Sequence, residues 1–230
     1  MADRVAIRPP EYFPNLAYFA LMHEADLFVV ADTFRYRRQT FQNRAKLRNP
    51  NGWQWITVPL ESYGYNEPIR EVQIETGGRW LEKHWRAFQY NYRSSPYFEY
   101  FESRIEPFFE REWTELGALT CASVELLHDL LDLSTPLMRA STLEGTPRTV
   151  DEVMEHVEAQ TLIVPEEDAR RHASGAMEIQ TLAYESPTYR QNFEGFEPGM
   201  SAADVLFNYG PEAVSIIAEG ATVADQASAE

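Results

Sequence analysis

The chain has 230 residues, with 36 acidic against 20 basic side chains and a net charge of −16. A chain of this length buries roughly 70% of its unfolded surface, and 44% hydrophobic content excludes a disordered or collagen-like protein. A lone Cys121 excludes an internal disulfide framework and a zinc–thiolate cluster, and the acidity disfavours indiscriminate binding to nucleic acid or anionic lipid.

No apolar run reaches the length of a membrane span, and the start MADRVAIRPP has no signal core, so the expectation is a cytoplasmic protein without a membrane segment. Lysine is scarce, with only Lys46 and Lys83. A concentrated-salt habitat and a GC-rich genome both account for that.

In chain order, Arg4 to Arg8 predicts a short strand stopped by Pro9-Pro10. Asn15 then caps a helix with Leu16, Phe19, Ala20 and His23 at helical spacing. The apolar run Leu27 to Ala31 predicts a buried strand. Strand, helix and strand in thirty residues make a βαβ unit with a parallel pair.

Between Thr33 and Leu60 there is no acid, yet Arg35, Arg37, Arg38, Arg44, Lys46 and Arg48 crowd together. From Asp151 onward the balance reverses, with acids far outnumbering Arg170, Arg171 and Arg190. Two readings compete for the basic segment: a site for a small anion, or a structural partner for the acidic C-terminal portion.

Within it, Arg44–Arg48 alternates, Asn49-Pro-Asn-Gly52 is a turn, and Trp53–Val58 alternates again. The register of such a hairpin sets Arg48 opposite Trp53, Lys46 opposite Trp55 and Arg44 opposite Thr57. Ala45, Leu47, Ile56 and Val58 then face the core. The ladder of cations and indoles either stiffens the hairpin by cation–π stacking or forms a wall for a sugar or base whose phosphates the arginines hold. Glu71–Glu75 predicts a further strand.

Trp80–Tyr92 carries Leu81, Trp85, Phe88 and Tyr92 on one stripe. Phe98, Phe101, Ile105 and Phe108 mark a second helix, kinked at Pro107, and Leu116 to Leu130 mark a third. Beyond them, Leu137–Ala140 and Thr161–Val164 predict strands around a helix at Val150–Glu158, and Glu166–Met177 is polar. Ser201 caps a helix over Ala202–Asn208, with Asp204 in its first turn, and Glu212–Glu219 adds another. The whole predicts one α/β domain over residues 1–220: an N-terminal βαβ unit and a β-hairpin in a mixed sheet, flanked by a helical subregion at 79–133. The three-layer arrangement is Rossmann-like, and a disordered tail covers 221–230.

The five histidines show no metal-ligand spacing, and the GxSxG, P-loop and GxGxxG motifs are missing, so no metal and no cofactor are expected. Nucleotidylyltransferases carry HxGH in the loop between the first strand and helix. Here that loop reads Phe13-Pro-Asn-Leu-Ala-Tyr18, which extends the analogy to the fold and not to the chemistry.

Pro10-Glu-Tyr-Phe-Pro14, Ala25–Val30, Phe41-Gln-Asn-Arg44 and Gly52–Pro59 resemble the WbqC-like family of bacterial proteins. The likeness continues at Trp80–Trp85, Asn91–Phe98, Tyr189–Gln191 and Phe196–Phe207, with a gap over 134–186. It is to the shorter branch seen in Bacteroidetes-like bacteria. Many members open the motif with His-Gln-Pro, where this chain has Arg8-Pro-Pro10.

Some members are encoded in O-antigen and other surface-polysaccharide clusters, which implies work on nucleotide-linked sugars. With the charge map, the resemblance implies a transferase-like enzyme acting on an anionic, nucleotide-activated sugar. Asn43 and Arg44 are then the anion clamp, and Trp85, Asn91, Tyr92, Tyr189, Gln191 and Asp204 the further pocket candidates. The alternative is a non-catalytic binding or assembly protein whose basic hairpin docks an acidic partner or its own C-terminal portion.

Overall fold

The computed structural model describes residues 3–61, 67–172 and 177–225. Its first elements are β1 (Arg4–Arg8), α1 (Leu16–Glu24) and β2 (Leu27–Val30). β1 and β2 pair in parallel, Val5 beside Leu27 through Arg8 beside Val30. Asn15 caps α1, its Oδ1 accepting from the Tyr18 amide at 3.2 Å, which spares one of the amides a helix start leaves unpaired.

The chain next forms β3 (Arg44–Asn49) and β4 (Gly52–Thr57), then the helices α2 (Trp80–Tyr92), α3 (Phe98–Glu110) and α4 (Leu116–Leu130). It continues through β5 (Leu137–Arg139), α5 (Val150–Val157), β6 (Thr161–Pro165), the short α6 (Ala169–His172) and β7 (Glu178–Tyr184). It ends in α7 (Ala202–Tyr209), α8 (Ala213–Glu219) and β8 (Ala221–Asp225).

Six strands form one sheet in the order β5-β2-β1-β6-β7-β8. All neighbours are parallel except β7 and β8. From β1 the chain winds outward through β2 and β5 on one side and β6 and β7 on the other. The point where direction switches therefore lies between β1 and β6.

Both faces of the sheet are covered, as a parallel sheet requires. Ala6, Phe28, Val30 and Ile163 join the large core built with α1, α4, α7 and the aromatic helices. Val5, Ile7, Val29, Leu162 and Val164 pack with Val153 and Met154 of α5. That is the expected α/β architecture in three layers.

Several expectations need adjusting. The hairpin does not extend the main sheet: β3 and β4 form a two-stranded sheet of their own. The side expected to face inward, Ala45, Leu47, Ile56 and Val58, is spent on the aromatic core beside Phe88 and Tyr92. Its register is the one the turn predicts, Arg48 beside Trp53, Lys46 beside Trp55 and Arg44 beside Thr57.

Glu71–Glu75 is not a strand. A 3-10 turn at Ile69–Glu71 leads into isolated bridges from Gln73 to Glu115 and Leu60 to Ile74. The polar 166–177 stretch holds α6, with 173–176 outside the described residues. The tail expected to be disordered begins with an edge strand instead. Residues 221–225 form β8 on β7, because an edge strand with one partner needs little apolar surface, while 226–230 lie outside the described residues.

Candidate functional site

The concentrated cations of the hairpin are engaged within the protein. The Arg44 guanidinium lies 4.2 Å from the Trp55 ring centre and donates to the Gln39 carbonyl at 2.7 Å. Lys46 sits 4.4 Å from the Trp53 ring and donates to the Pro198 carbonyl at 3.0 Å. Asn43 donates to the Val58 carbonyl and closes the start of the hairpin. Arg48, on the same strand face by alternation, is only 2% exposed. It donates to Gln191 Oε1, to the carbonyls of Asn49 and Gly52, and to that of Glu194. Arg44 and Asn43 thus close the hairpin's base, and Lys46 and Arg48 clamp the chain between residues 191 and 198.

Four of the sequence candidates converge on Arg48. Tyr92 accepts from the Arg48 amide at 3.0 Å, and Gln191 meets the guanidinium and, at 3.4 Å, the Tyr189 hydroxyl. Tyr189 donates to Asp204 at 2.7 Å. Burial pushes the Asp204 carboxyl up to about 6, against the opposing pull of Tyr189, Tyr92 and Gln191. Asn91 is adjacent, its carbonyl accepting from Asn192, while its own buried amide group has no partner. Trp85 stands apart, stacked between Phe98 and Phe109 with its indole N–H on Glu106. A cavity of about 360 Å³ lined by residues 190–195 touches this network through Gln191. The rest is sealed, which makes the network a fastening for the C-terminal segment.

A second cluster lies on the carboxyl edge of the sheet. Arg8 ends β1 at the switch point and pairs with Asp168 at 3.0 Å and Glu11 at 3.4 Å. Its Nε is buried without a partner. Glu11 is held by its backbone, the carbonyl accepting from Ser123 of α4 at 3.0 Å. Burial raises its carboxyl above the usual range, with Arg8 opposing. Just past β2, Asp32 accepts from the amide and hydroxyl of Ser141. At the end of β5, Arg139 forks onto Glu125 of α4 at 2.6 and 2.7 Å. Cys121 lies among these groups, its thiol pushed well up by burial and so no nucleophile.

Sequence reasoning missed this rim. Its signal was present, since Arg8, Asp32 and Arg139 each stand at the carboxyl end of an apolar strand run or just past it. In open parallel sheets that edge, at the switch point, is where ligands bind.

Chemically, the rim offers guanidinium forks for phosphate or carboxylate and carboxylates able to accept from sugar hydroxyls. Asp32, at the end of the second strand where dinucleotide-binding folds hold a ribose, is already committed to Ser141. Among the described residues, no group of three His, Cys, Asp or Glu side chains is placed to hold a metal. No helix there is long and apolar enough to cross a membrane.

Fold and rim together define a doubly wound α/β protein with an arginine at its switch point. The chain belongs to the WbqC-like protein family, which it matches over residues 9–216, including the 134–186 stretch where no motif was visible. It is 30% identical over 222 residues to the uncharacterized protein Rv1507c of Mycobacterium tuberculosis, covering 91% of this chain and 95% of that one. No solved structure matches it.

Proposed function

We propose that this protein is a transferase-like enzyme that binds a nucleotide-activated sugar, or a similar phosphate-bearing molecule, at the carboxyl edge of its sheet. The setting is bacterial surface-polysaccharide biosynthesis, as the family resemblance implies. The observation that carries the reading is Arg8: a partly exposed guanidinium at the β1–β6 switch point, oriented by Glu11 and Asp168, with a buried Nε left over. It stands where many family members open with histidine, so both residue types put a cationic or proton-donating group at one spot. Glu11 is buried against that guanidinium, and its dry position raises its carboxyl above the usual range while Arg8 opposes the shift. Asp168, partly exposed beside Arg8, also presents an acceptor for a sugar hydroxyl.

Calorimetric titration with UDP-glucose and dTDP-glucose tests the reading. Binding should occur in the millimolar range or tighter. Arg8→Gln should weaken it about tenfold or more, the worth of a charge-assisted fork. Arg44→Ala should leave it unchanged, since Arg44 serves the hairpin. Failure of both sugar nucleotides to bind at millimolar concentration would overturn the proposal.

The non-catalytic alternative draws on a separate observation, the docking of Lys46 and Arg48 onto residues 191–198. It expects no small-molecule binding, and an Arg44→Ala protein of altered mass or melting temperature.

A further inference from the structure

The loop that carries Glu11 between β1 and α1 is buried from Pro10 to Pro14. Loops usually stay at the surface, because buried backbone groups need partners. Here other elements supply them. The Tyr18 hydroxyl donates to the Pro9 carbonyl at 3.2 Å, the Tyr12 amide to the Phe41 carbonyl at 2.9 Å, and the Ala202 amide to the Pro14 carbonyl at 2.8 Å. Between these points a single hydroxyl serves two groups. Ser123 of α4 donates to the Glu11 carbonyl at 3.0 Å and accepts from the Phe13 amide at 3.2 Å. The Thr120 carbonyl of its own helix also lies within reach, at 2.9 Å, so the one proton of the hydroxyl is shared between helix and loop.

Residues 11–13 need such a hold. Phe13 has a φ of 42°, in the left-handed region, although its side chain is bulky and fully buried. Strain of that kind persists only where the surroundings over-determine it, and it gathers where a chain positions functional groups. The Phe13 ring lies against Phe88 of α2 and against Phe108 and Phe109 of α3, with centroids 4.9, 5.1 and 5.6 Å away. α2 and α3 thus grip the side chain, and α4 grips the backbone. What the strained turn delivers is Glu11, whose carboxyl meets Arg8 at 3.4 Å.

We propose that Ser123 is a positioning residue of the Arg8 site: by holding the Glu11 carbonyl and the Phe13 amide together, it fixes the strained loop and with it the carboxyl that steers the guanidinium. This inference rests on the function proposed above and deepens the account of that site. Ser123 touches no ligand; it acts through Glu11, and Glu11 acts through Arg8.

The test is calorimetric titration of UDP-glucose into the full-length protein, into Ser123→Ala, Arg8→Gln and the double variant, and into Thr120→Val as control. Thr120 is also fully buried on α4, but its hydroxyl serves its own helix, bonding the Leu116 and Gly117 carbonyls. Ser123→Ala should weaken binding by up to about tenfold, the worth of one hydrogen bond, and Thr120→Val should leave it unchanged. In the Arg8→Gln background, Ser123→Ala should cost nothing further, because there is no guanidinium left to position. A serine with a merely structural role would show its loss in both backgrounds. That result overturns the inference, and so does full affinity in Ser123→Ala. Should Ser123→Ala fail to fold, Ser123→Cys replaces it with the same expected direction, since a thiol is the weaker donor and acceptor. Absence of UDP-glucose binding by the wild type strikes the function proposal instead, and hydrogen exchange then decides the clamp alone. Exchange at the Phe13 amide should quicken about tenfold in Ser123→Ala and not in Thr120→Val; unchanged protection overturns the inference.

Discussion

Arg48 donates from Nε to Oε1 of Gln191 at 3.0 Å, joining side chains 143 positions apart in the chain. One buried guanidinium thereby fastens the hairpin to the segment that leads into α7. The same strand carries Arg44, whose guanidinium rests on an indole near solvent. Arg48→Met would strip the carbonyls of Asn49, Gly52 and Glu194 of a charged donor in a site with little water to replace it. The expected cost is about 3–5 kcal/mol, with hydrogen exchange accelerated over residues 189–204. Arg44→Ala should cost no more than about 1 kcal/mol, the worth of an exposed cation–π pair. Urea denaturation of the two variants checks the contrast, and equal losses would contradict it.

Two buried groups pull the pH dependence of stability in opposite directions. Asp204 titrates near 6 in the fold against 3.8 in a free chain, because burial disfavours its charge. The folded state therefore holds that proton more tightly. The stability it contributes is complete below about pH 4 and is lost as pH rises through 6. His84, buried beside Tyr12 and Trp80, falls from 6.5 to about 4, so the fold prefers it neutral. Its contribution is complete above pH 6.5 and is lost as pH falls through 4. Each effect is on the order of 3 kcal/mol, and between pH 4 and 6 they largely cancel. Asp204→Asn, which keeps an acceptor for Tyr189, should raise stability at pH 7 by about 2 kcal/mol and leave a profile that falls toward acid. Urea denaturation at pH 4, 5, 6 and 7 measures this. A variant less stable than wild type at pH 7 would mean that ionised Asp204 is favoured by Arg48 after all.

The contrast between Arg44 and Arg48 marks the limit of what local sequence can say. The hairpin register was legible because Asn49-Pro-Asn-Gly52 fixes the turn, with Gly52 supplying its φ of 116°, and alternation fixes everything else. Alternation also put Arg48 on the outer face, correctly. That face ceases to be outer when residues 191–198 fold over its end. Nothing within the hairpin encodes a cover that arrives about 140 residues later. Tyr92, Tyr189, Gln191 and Asp204 were each expected beside a pocket; they form a buried network that meets a cavity through Gln191, and polar residue types alone do not reveal whether water reaches them.

The carboxyl-edge rim was hidden for a different reason. Arg8, Asp32, Arg139 and Asp168 are neighbours only once strand order is known, and that order needs β5, β6 and β7 placed around β1. The sequence showed β1, β2, β5 and β6 through their apolar runs. It did not show β7, whose Glu178-Ile-Gln-Thr-Leu-Ala-Tyr184 mixes polar and apolar residues as an interior strand with short neighbours permits. Without it, nothing showed that the sheet continues beyond β6, and so that β1 and β6 are interior neighbours rather than an edge.

Gly117 offers a test of how tightly α4, which carries Ser123 and Glu125 to the rim, is seated. It occupies the second position of the helix, directly over the Ile69–Glu71 turn, and Leu116 donates to the Val72 carbonyl at 2.8 Å. A Cβ on Gly117 would overlap Arg70 Cα and lie 2.8 Å from its amide nitrogen, and backbone atoms cannot swing aside as a side chain can. On helix propensity alone, Gly117→Ala should stabilise by up to about 1 kcal/mol. The clash reverses the sign, because α4 or the turn must shift as a unit, and overpacking of this kind costs about 1–3 kcal/mol. Gly77→Ala is the matched control, since a Cβ there meets nothing within 4 Å. Thermal denaturation should show Gly117→Ala lowered and Gly77→Ala unchanged. A stabilised Gly117→Ala would mean that α4 is free to slide, and with it the carboxylate that aims Arg139.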